Sequence, residues 1–272
     1  MKTNFHTHST WCDGKSTPEE IILSAIEKGL GAIGFSSHSM LPSNDLSWCL
    51  TSEKIAKYKD EITSLKEKYK GKIRVHLGVE ADFIPGSAFP SYSEYATLEP
   101  EYIIGSVHYV PAREGVLVAV DSSPEELLSG IDEFFDCKPE DFIKSYYSSV
   151  REMVKNYDFD IIGHVDLVRK FNLKHRYFDE SSQWYLEEIS QTADVIAASG
   201  KLVEINTGAI SRGWMNDAYP SVPFRELLAK RGVKFILSSD CHHASSIDTG
   251  FDIVTKVDFA EEITDYFPHF MV

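Results

Sequence analysis

Six short apolar segments of this chain each end in side chains that bind metal ions well. At their ends stand His6 with His8, His38, Glu80, His108, His164, and Asp240 with His242. One apolar segment that ends in histidine carries little information, because structural histidines are common. Six such segments, each ending in a nitrogen or carboxylate ligand, indicate parallel strands that direct their last residues to one mouth of a barrel.

Strand-like and helix-like patterns alternate along most of the chain, which predicts an α/β fold with a parallel sheet and helical crossovers. The seven predicted strands cover about residues 2–6, 32–37, 73–79, 102–107, 160–163, 202–206 and 234–239. The predicted helices cover about residues 18–28, 55–69, 124–135, 139–157, 179–198 and 222–231, with a short last element at 259–267. A long loop is expected over 82–100 and a hairpin around Gly115 and Asp121. No composition break marks a second domain, so one domain is expected over residues 1–272.

The charge balance limits the partners that such a chain would bind. The sequence holds 42 acidic and 27 basic residues, which gives a net charge of −15. A field of that sign disfavours binding to a nucleic-acid backbone over a broad surface. A small anionic substrate remains compatible with it, because bound divalent metals reverse the sign of the charge locally.

The cysteine pattern and the apolar segments predict a cytoplasmic protein without a membrane span. The four cysteines show no Cys-x-x-Cys spacing, and we interpret them as free thiols: Cys12, Cys49, Cys137 and Cys241. His6 and His8 interrupt the N-terminal segment before it could act as a signal peptide. No apolar segment approaches the roughly 18 residues of a transmembrane helix.

Two pairs of candidate ligands have a spacing that suits chelation of one metal. His6 and His8 lie two residues apart on a strand, so both rings project to the same side. Asp240 and His242 repeat this spacing at the far end of the chain, and closure of a barrel would bring the two pairs together. Glu80 is a carboxylate able to bridge two metals. Asp13 stands in an Asp-Gly pair, and its local sequence fits a turn and a metal ligand equally well.

The candidate ligands outnumber what one metal needs. A closed structural zinc site uses four ligands, whereas this set suits two or three metals with bridging carboxylates and open positions. Such clusters lower the pKa of a bound water and stabilise both the attacking and the departing oxygens. Hydrolysis of a phosphate ester is the reaction class that this arrangement serves best.

The motifs resemble those of the PHP (polymerase and histidinol phosphatase) superfamily. They are His6-x-His8, Asp13-Gly14, Ser37-His38, Gly78-x-Glu80, Ser106-x-His108, Gly163-His164 and Ser239-Asp240-x-His242. The chain length and the segment from Gly163 to Phe171 look most like the histidinol-phosphatase branch. The resemblance implies a distorted (β/α)7 barrel with a trinuclear site at the C-terminal ends of the strands.

The resemblance also implies a division of the ligands among three metals. One metal would take His6, His8, Glu80 and Asp240, the second Asp13, His38 and His242, and the third Glu80, His108 and His164. Zinc, iron and manganese all suit such nitrogen and oxygen ligands. The implied reaction is hydrolysis of L-histidinol phosphate to L-histidinol and phosphate in histidine biosynthesis. A metal-bridging hydroxide would attack phosphorus, with Asp240, His242 and Glu80 as catalytic residues.

A phosphate substrate also needs hydrogen-bond donors from the protein. Arg169 and Arg212 follow the fifth and sixth predicted strands, and arginine binds phosphate oxygens in a bidentate manner. His243 is a further candidate for substrate binding or acid catalysis, although it would point away from His242 on a regular strand. Lys170 and Asn206 are candidates of the same kind. The loops also hold acidic and aromatic candidates for the organic part of the substrate: Trp11, Asp45, Trp48, Asp82, Phe83, Tyr109 and Trp214.

Two other functions compete with this interpretation. The first is a PHP-type phosphoesterase or exonuclease that acts on nucleotides or nucleic-acid ends; the net charge of −15 argues against polymers but leaves mononucleotides open. The second is a metal-dependent scaffold without catalytic activity, which would have no need of an open multinuclear site. The expected partner is therefore a small-molecule phosphate ester, and the sequence leaves open whether the chain forms a homo-oligomer.

Overall fold

A closed ring of parallel strands organises the computed structural model, which describes residues 2–41 and 47–254. The strands are β1 (Lys2–Asn4), β2 (Leu30–Phe35), β3 (Arg74–Asp82), β4 (Tyr102–Ser106), β5 (Tyr109–Pro111), β6 (Leu117–Ala119), β7 (Ile161–Ile162), β8 (Leu202–Asn206) and β9 (Phe235–Ser238). Seven of them form one parallel sheet in the order β1-β2-β3-β4-β7-β8-β9. A parallel bridge between Thr7 and Cys241 joins the two ends of this sheet.

Helices cover the outer face of the sheet. They are α1 (Pro18–Glu27), α2 (Ser52–Lys68), α3 (Pro124–Phe134), α4 (Pro139–Asn156), α5 (Asn172–His175), α6 (Gln183–Ser199), α7 (Gly208–Ser211), α8 (Val222–Lys230) and α9 (Phe251–Val254). The start of α1 follows from its sequence, because Thr17 and Glu20 form a reciprocal capping box and Pro18 occupies the first turn. The predicted (β/α)7 barrel is confirmed.

Side-chain alternation divides the core into two layers. The smaller layer lies inside the barrel and consists of Phe5, Ala32, Tyr102, Ile104, Ile161, Leu202 and Ile236. The larger layer fills the space between the sheet and the helices. Because successive side chains of a strand point to opposite faces, the inward face of β3 carries Gly78 and then Glu80. The inward face of β8 likewise carries Leu202 and then Glu204. Apolar groups therefore form the floor of the barrel, and charged groups stand above them.

Tyr102 closes the floor of the barrel, and two glycines make room for it. A Cβ atom built on Gly78 would lie 2.3 Å from Tyr102 Cζ, and one on Gly34 would lie 2.3 Å from the Tyr102 hydroxyl. The hydroxyl donates a 2.6 Å hydrogen bond to the carbonyl oxygen of Phe5. Glycine at these positions therefore allows one large ring to fill the narrow interior.

The sequence predictions differ from the structure mainly at the boundaries of the elements. The antiparallel hairpin β5–β6 is confirmed, and its two strands flank the 3₁₀ turn Arg113–Gly115. The helix expected from residue 179 begins only at Gln183, and the short helices α5 and α7 were not predicted. The element expected at 259–267 and Asp45 lie outside the described residues.

Two further expectations concern the cysteines and the membrane. All four cysteines are free thiols, as predicted. Within residues 2–41 and 47–254, none of the helices combines the length and the apolar character that crossing a bilayer requires.

The contact between Gly78 and Tyr102 can be tested by overpacking. Gly78→Ala adds one methyl group against the Tyr102 ring, and we expect the free energy of unfolding to fall by about 1–3 kcal/mol. Chemical denaturation measures this change. Ala56→Ser, on the exposed side of α2, serves as a control and should change stability by no more than about 0.5 kcal/mol. Equal stability of Gly78→Ala and the wild type would contradict the packing of the barrel floor.

Candidate metal centre

The C-terminal ends of the strands surround a cavity of about 410 Å³. Its lining consists of Asp13, Lys15, His38, Glu80, His108, Asp121, His164, Leu167, Lys170, Arg212, Asp240 and His242. Seven of the nine predicted metal ligands are in this lining. The other two, His6 and His8, are fully buried beside them. The structure thus brings together all of the predicted ligands, although they come from both ends of the chain.

Glu80 lies at the centre of the histidines. Its Oε2 atom is 3.1 Å from His6 Nε2, 3.3 Å from His8 Nε2 and 3.1 Å from His38 Nδ1. Its Oε1 atom is 2.9 Å from His164 Nε2 and 3.5 Å from His108 Nε2. The two oxygens of one buried carboxylate therefore face two different sets of imidazole nitrogens.

Among the described residues, four overlapping groups of side chains have ligand atoms close enough to hold a metal ion. They are His8, Asp13, His38 and His242; His6, Glu80 and His164; His6, His8 and Asp240; and His38, Asp82 and His108. Within each group the ligand atoms lie within 4.8 Å of one another. Asp82 is the one member that the implied division of ligands does not include.

Two carboxylates that are not among the nine predicted ligands fix the tautomers of two histidines. Glu204 Oε2 lies 2.9 Å from His6 Nδ1, and Asp82 Oδ1 lies 2.7 Å from His108 Nδ1. A carboxylate only accepts hydrogen bonds when it is ionised, so each of these Nδ1 atoms carries the proton. The Nε2 lone pair of each ring then points toward the other ligands, which is the arrangement of metal-binding histidines.

Close contacts between histidine nitrogens indicate whether the site can accommodate a cation. His6 Nε2 lies 3.0 Å from His8 Nε2, and His108 Nε2 lies 3.2 Å from His164 Nε2. Buried oxygens of Asp13 and Glu80 also accept no hydrogen bond from the described residues. Converging lone pairs and unsatisfied buried oxygens are costly by themselves. A positive ion among them would satisfy both, so the set of donors fits divalent metals.

The histidines of the cluster differ in the direction in which their pKa values are shifted. Burial lowers the pKa of His38 to about 3, so this ring is neutral and can act as a ligand. Burial also disfavours charge on His108, but Asp82 and Glu80 outweigh it and raise the pKa of this histidine to about 10. A metal ion at its Nε2 atom would therefore displace the proton that these two carboxylates favour. Burial likewise opposes ionisation of Asp240, but Arg212 and His6 hold its pKa well below the ordinary range. The carboxylates therefore remain ionised and supply negative charge.

Arg212 is the predicted phosphate ligand that reaches the cavity. Its Nη2 atom donates a 2.7 Å hydrogen bond to Asp240 Oδ2, and Nη1 lies 3.2 Å from the Asp240 carbonyl oxygen. Gly208 permits this approach, because a Cβ atom there would lie 2.7 Å from Arg212 Nη2 and 2.8 Å from Asp240 Oδ2. Asp240 thus orients the guanidinium at the rim of the site.

The structure does not bring Arg169 and His243 to the cavity lining. Arg169 forms ion pairs with two carboxylates instead. Its Nε atom lies 2.7 Å from Glu180 Oε2, and its Nη1 atom lies 3.3 Å from Asp166 Oδ2. His243 is exposed and caps the 3₁₀ turn Ala244–Ser246, where its ring accepts a hydrogen bond from the backbone N–H of Ser245. Local pairing of these two side chains with their neighbours explains the difference from the sequence prediction.

Asn206 and the aromatic candidates also lie outside the lining. Asn206 is buried and donates a hydrogen bond to Glu204. It therefore helps to hold the carboxylate that contacts His6. Trp48 packs edge-on against His38 at 5.2 Å, whereas Trp11 donates to Glu61. Tyr109 lies in β5, and Phe83 and Trp214 pack with the outer core.

Sequence reasoning did not identify Lys15 and Asp121, which both line the cavity. Lys15 is placed there by a 2.7 Å bond from its backbone N–H to the His242 carbonyl. Asp121 arrives because the β5–β6 hairpin folds back, with a 2.9 Å bond from the Val120 N–H to the His108 carbonyl. The sequence offered one weak signal for each residue. Lys15 follows the candidate ligand Asp13 by two positions, and Asp121 stands near the predicted hairpin.

Comparison with known proteins agrees with this geometry. The PHP domain family matches residues 4–208, so the chain belongs to this family. A probable histidinol-phosphatase of Deinococcus radiodurans is 29% identical over 265 residues, which cover 96% of this chain and 92% of the relative. The predicted resemblance to the PHP superfamily and its histidinol-phosphatase branch is confirmed.

Solved structures show the same fold. A putative histidinol phosphatase of Listeria monocytogenes aligns with a TM-score of 0.83 and 21% identity, over 93% of this chain and 99% of its own. Histidinol phosphate phosphatase of Lactococcus lactis was solved with zinc, L-histidinol and phosphate. It aligns with a TM-score of 0.70 and 22% identity, over 94% of this chain and 93% of its own.

The carboxylate partners of the histidines can be tested through metal binding. Glu204→Gln and Asp82→Asn remove the acceptors that hold His6 and His108, and we expect each change to weaken zinc binding about 10- to 100-fold. Competition with a chromophoric chelator measures the affinity.

The chain offers a matched control for this test. Glu101 Oε2 lies 3.0 Å from His76 Nδ1, a similar contact that is not part of the cavity lining. Glu101→Gln should leave the zinc affinity within about twofold of the wild type. A loss as large as that of Glu204→Gln would show that the effect is one of general stability.

Proposed function

We propose that this protein is a metal-dependent phosphomonoesterase that hydrolyses L-histidinol phosphate to L-histidinol and phosphate. The observation that carries the proposal is the position of Glu80, whose two carboxylate oxygens face separate sets of histidines at the base of the cavity. Four relatives named histidinol-phosphatase or probable histidinol-phosphatase match 93–97% of the chain, which supports this substrate.

The residues that would hold the metals are the nine predicted ligands. One position is bounded by His6, His8, Glu80 and Asp240, the next by Asp13, His38 and His242, and the last by Glu80, His108 and His164. Two or three divalent ions of zinc, iron or manganese suit these nitrogen and oxygen donors. Ions bound there would supply a nucleophilic hydroxide at neutral pH and neutralise charge on the phosphoryl oxygens.

The substrate phosphate would bind at the side of the cavity that carries Arg212 and Lys15. The planar guanidinium of Arg212 offers two parallel donors to phosphate oxygens. Lys15 adds a flexible positive charge from the loop after β1. These two cations offset the negative charge that the phosphate brings next to the carboxylates.

Asp240 and His242 are the proposed catalytic residues, together with Glu80. Asp240 has φ of 48°, a left-handed conformation that aspartate tolerates better than most residues. This turn aims the carboxylate between Arg212 and His8. Because its pKa is held low, Asp240 stays ionised, and its Oδ1 atom can accept a hydrogen bond that orients an attacking water. His242 Nε2 lies 3.0 Å from Asp13 Oδ2, which orients its ring.

Steady-state kinetics on the purified protein tests this function. We expect hydrolysis of L-histidinol phosphate to exceed that of AMP and of a short oligonucleotide by at least about 100-fold in kcat/KM, with two or three metal ions per chain. Chelation should abolish turnover, and Asp240→Asn should lower kcat by roughly 100-fold or more while the fold is retained. A strong preference for AMP or the oligonucleotide would replace the proposed substrate with a nucleotide or a nucleic-acid end.

The two arginines provide an internal comparison for phosphate binding. Arg212→Gln removes a charge-assisted contact, and we expect the inhibition constant of inorganic phosphate to rise about 10- to 100-fold. Arg169→Gln should change this constant by less than about threefold, because Arg169 pairs with Glu180 and Asp166 outside the cavity lining. Similar effects of the two substitutions would contradict the assignment of the phosphate to the Arg212 side.

A further inference from the structure

One carboxylate in the cavity lining belongs to none of the candidate metal groups. Within the part of the chain that the structure describes, five lining side chains remain once those groups are set aside: Lys15, Asp121, Leu167, Lys170 and Arg212. Three of them are cations and one is apolar. Asp121 is therefore the only acid in the described lining that the metal groups leave for another role.

One carboxylate oxygen of Asp121 is hydrogen-bonded to Lys170, and the other remains accessible. Lys170 Nζ lies 2.9 Å from Asp121 Oδ2 and 2.9 Å from the Asp121 carbonyl oxygen. The Lys170 side chain is only 10% exposed, whereas the Asp121 side chain is 32% exposed. The described residues provide no hydrogen-bond partner for Oδ1. The carboxylate is thus fixed in position and can accept a hydrogen bond from a molecule in the cavity.

The cations Lys15 and Arg212 and the paired side chains Asp121 and Lys170 lie beside different strands of the barrel. Lys15 and Arg212 stand beside β1 and β9, through their contacts with His242 and Asp240. Asp121 stands beside β4, through the bond between Val120 and His108. In the closed sheet, two strands separate β4 from β1 and two separate β4 from β9. A molecule with a phosphate at one end and a cation at the other matches this distribution of charge.

We propose that Asp121 binds the protonated amine of the substrate and makes the cavity selective for aminoalkyl phosphates. This inference rests on the proposed function, because it concerns the organic part of the same substrate. An ammonium group donates to a carboxylate in a strong, charge-assisted hydrogen bond. A phosphate ester without an amine forms no such bond, and the additional phosphates of a polynucleotide are repelled by the negative charge.

The amine contact is tested with two matched esters on the metal-loaded enzyme. L-Histidinol phosphate carries the amine, and 3-(imidazol-4-yl)propyl phosphate lacks only that group. We expect kcat/KM of the wild type to be at least about tenfold higher for L-histidinol phosphate than for the ester without the amine. Asp121→Asn should lower this ratio to within about threefold of 1, mainly through KM, and Asp121→Glu should restore part of the preference. Glu125→Gln, an exposed acid on α3, is the control and should keep the wild-type ratio.

The outcomes separate this inference from the proposed function. An unchanged ratio in Asp121→Asn, with wild-type metal content and circular dichroism, overturns the role of Asp121 and leaves the phosphatase activity standing. Failure of the wild type to hydrolyse either ester overturns both. If Asp121→Asn does not fold, inhibition of the wild type decides: L-histidinol should inhibit at least about tenfold more strongly than 3-(imidazol-4-yl)propan-1-ol. Equal inhibition by the two alcohols overturns the amine contact.

Discussion

The structure depends on one buried carboxylate, Glu80, at the mouth of a closed barrel. An isolated ionised carboxylate at such a position would be strongly disfavoured, because burial removes its hydration. Ser106 Oγ donates a 2.7 Å hydrogen bond to Oε1, and positive ions held by the surrounding imidazoles would replace the rest of the lost hydration. Glu80 can keep its charge there only while these partners stay in place, so the geometry of the whole rim is coupled to one side chain.

The position of Glu80 follows from the packing beneath it. Gly78 precedes it by two residues on the inward face of β3 and accommodates the Tyr102 ring. The apolar floor fixes the height at which charged side chains begin, and Glu204 and Asp82 then fix the rotation of His6 and His108. Rigid support of this kind holds ligands in place before a metal binds, which reduces the cost of assembling the site.

The second feature of the site is its asymmetry of charge. The candidate metal ligands occupy the base, cations stand beside β1 and β9, and Asp121 stands beside β4 with Lys170 against it. The base could serve many phosphate esters, because phosphate and metals are common to all of them. Selectivity among esters must therefore arise from the few side chains that remain above the base.

The sequence determined the strands, the capping box of α1 and the identity of the candidate ligands, because these depend on local patterns and on residue chemistry. It could not determine the path of the β5–β6 hairpin or the partners of long side chains. Arg169 and Arg212 look alike in sequence, yet the first pairs with Glu180 and the second reaches Asp240. Asp121 enters the cavity only because the hairpin folds onto His108. Such contacts join residues distant in the chain, so only the tertiary structure decided them.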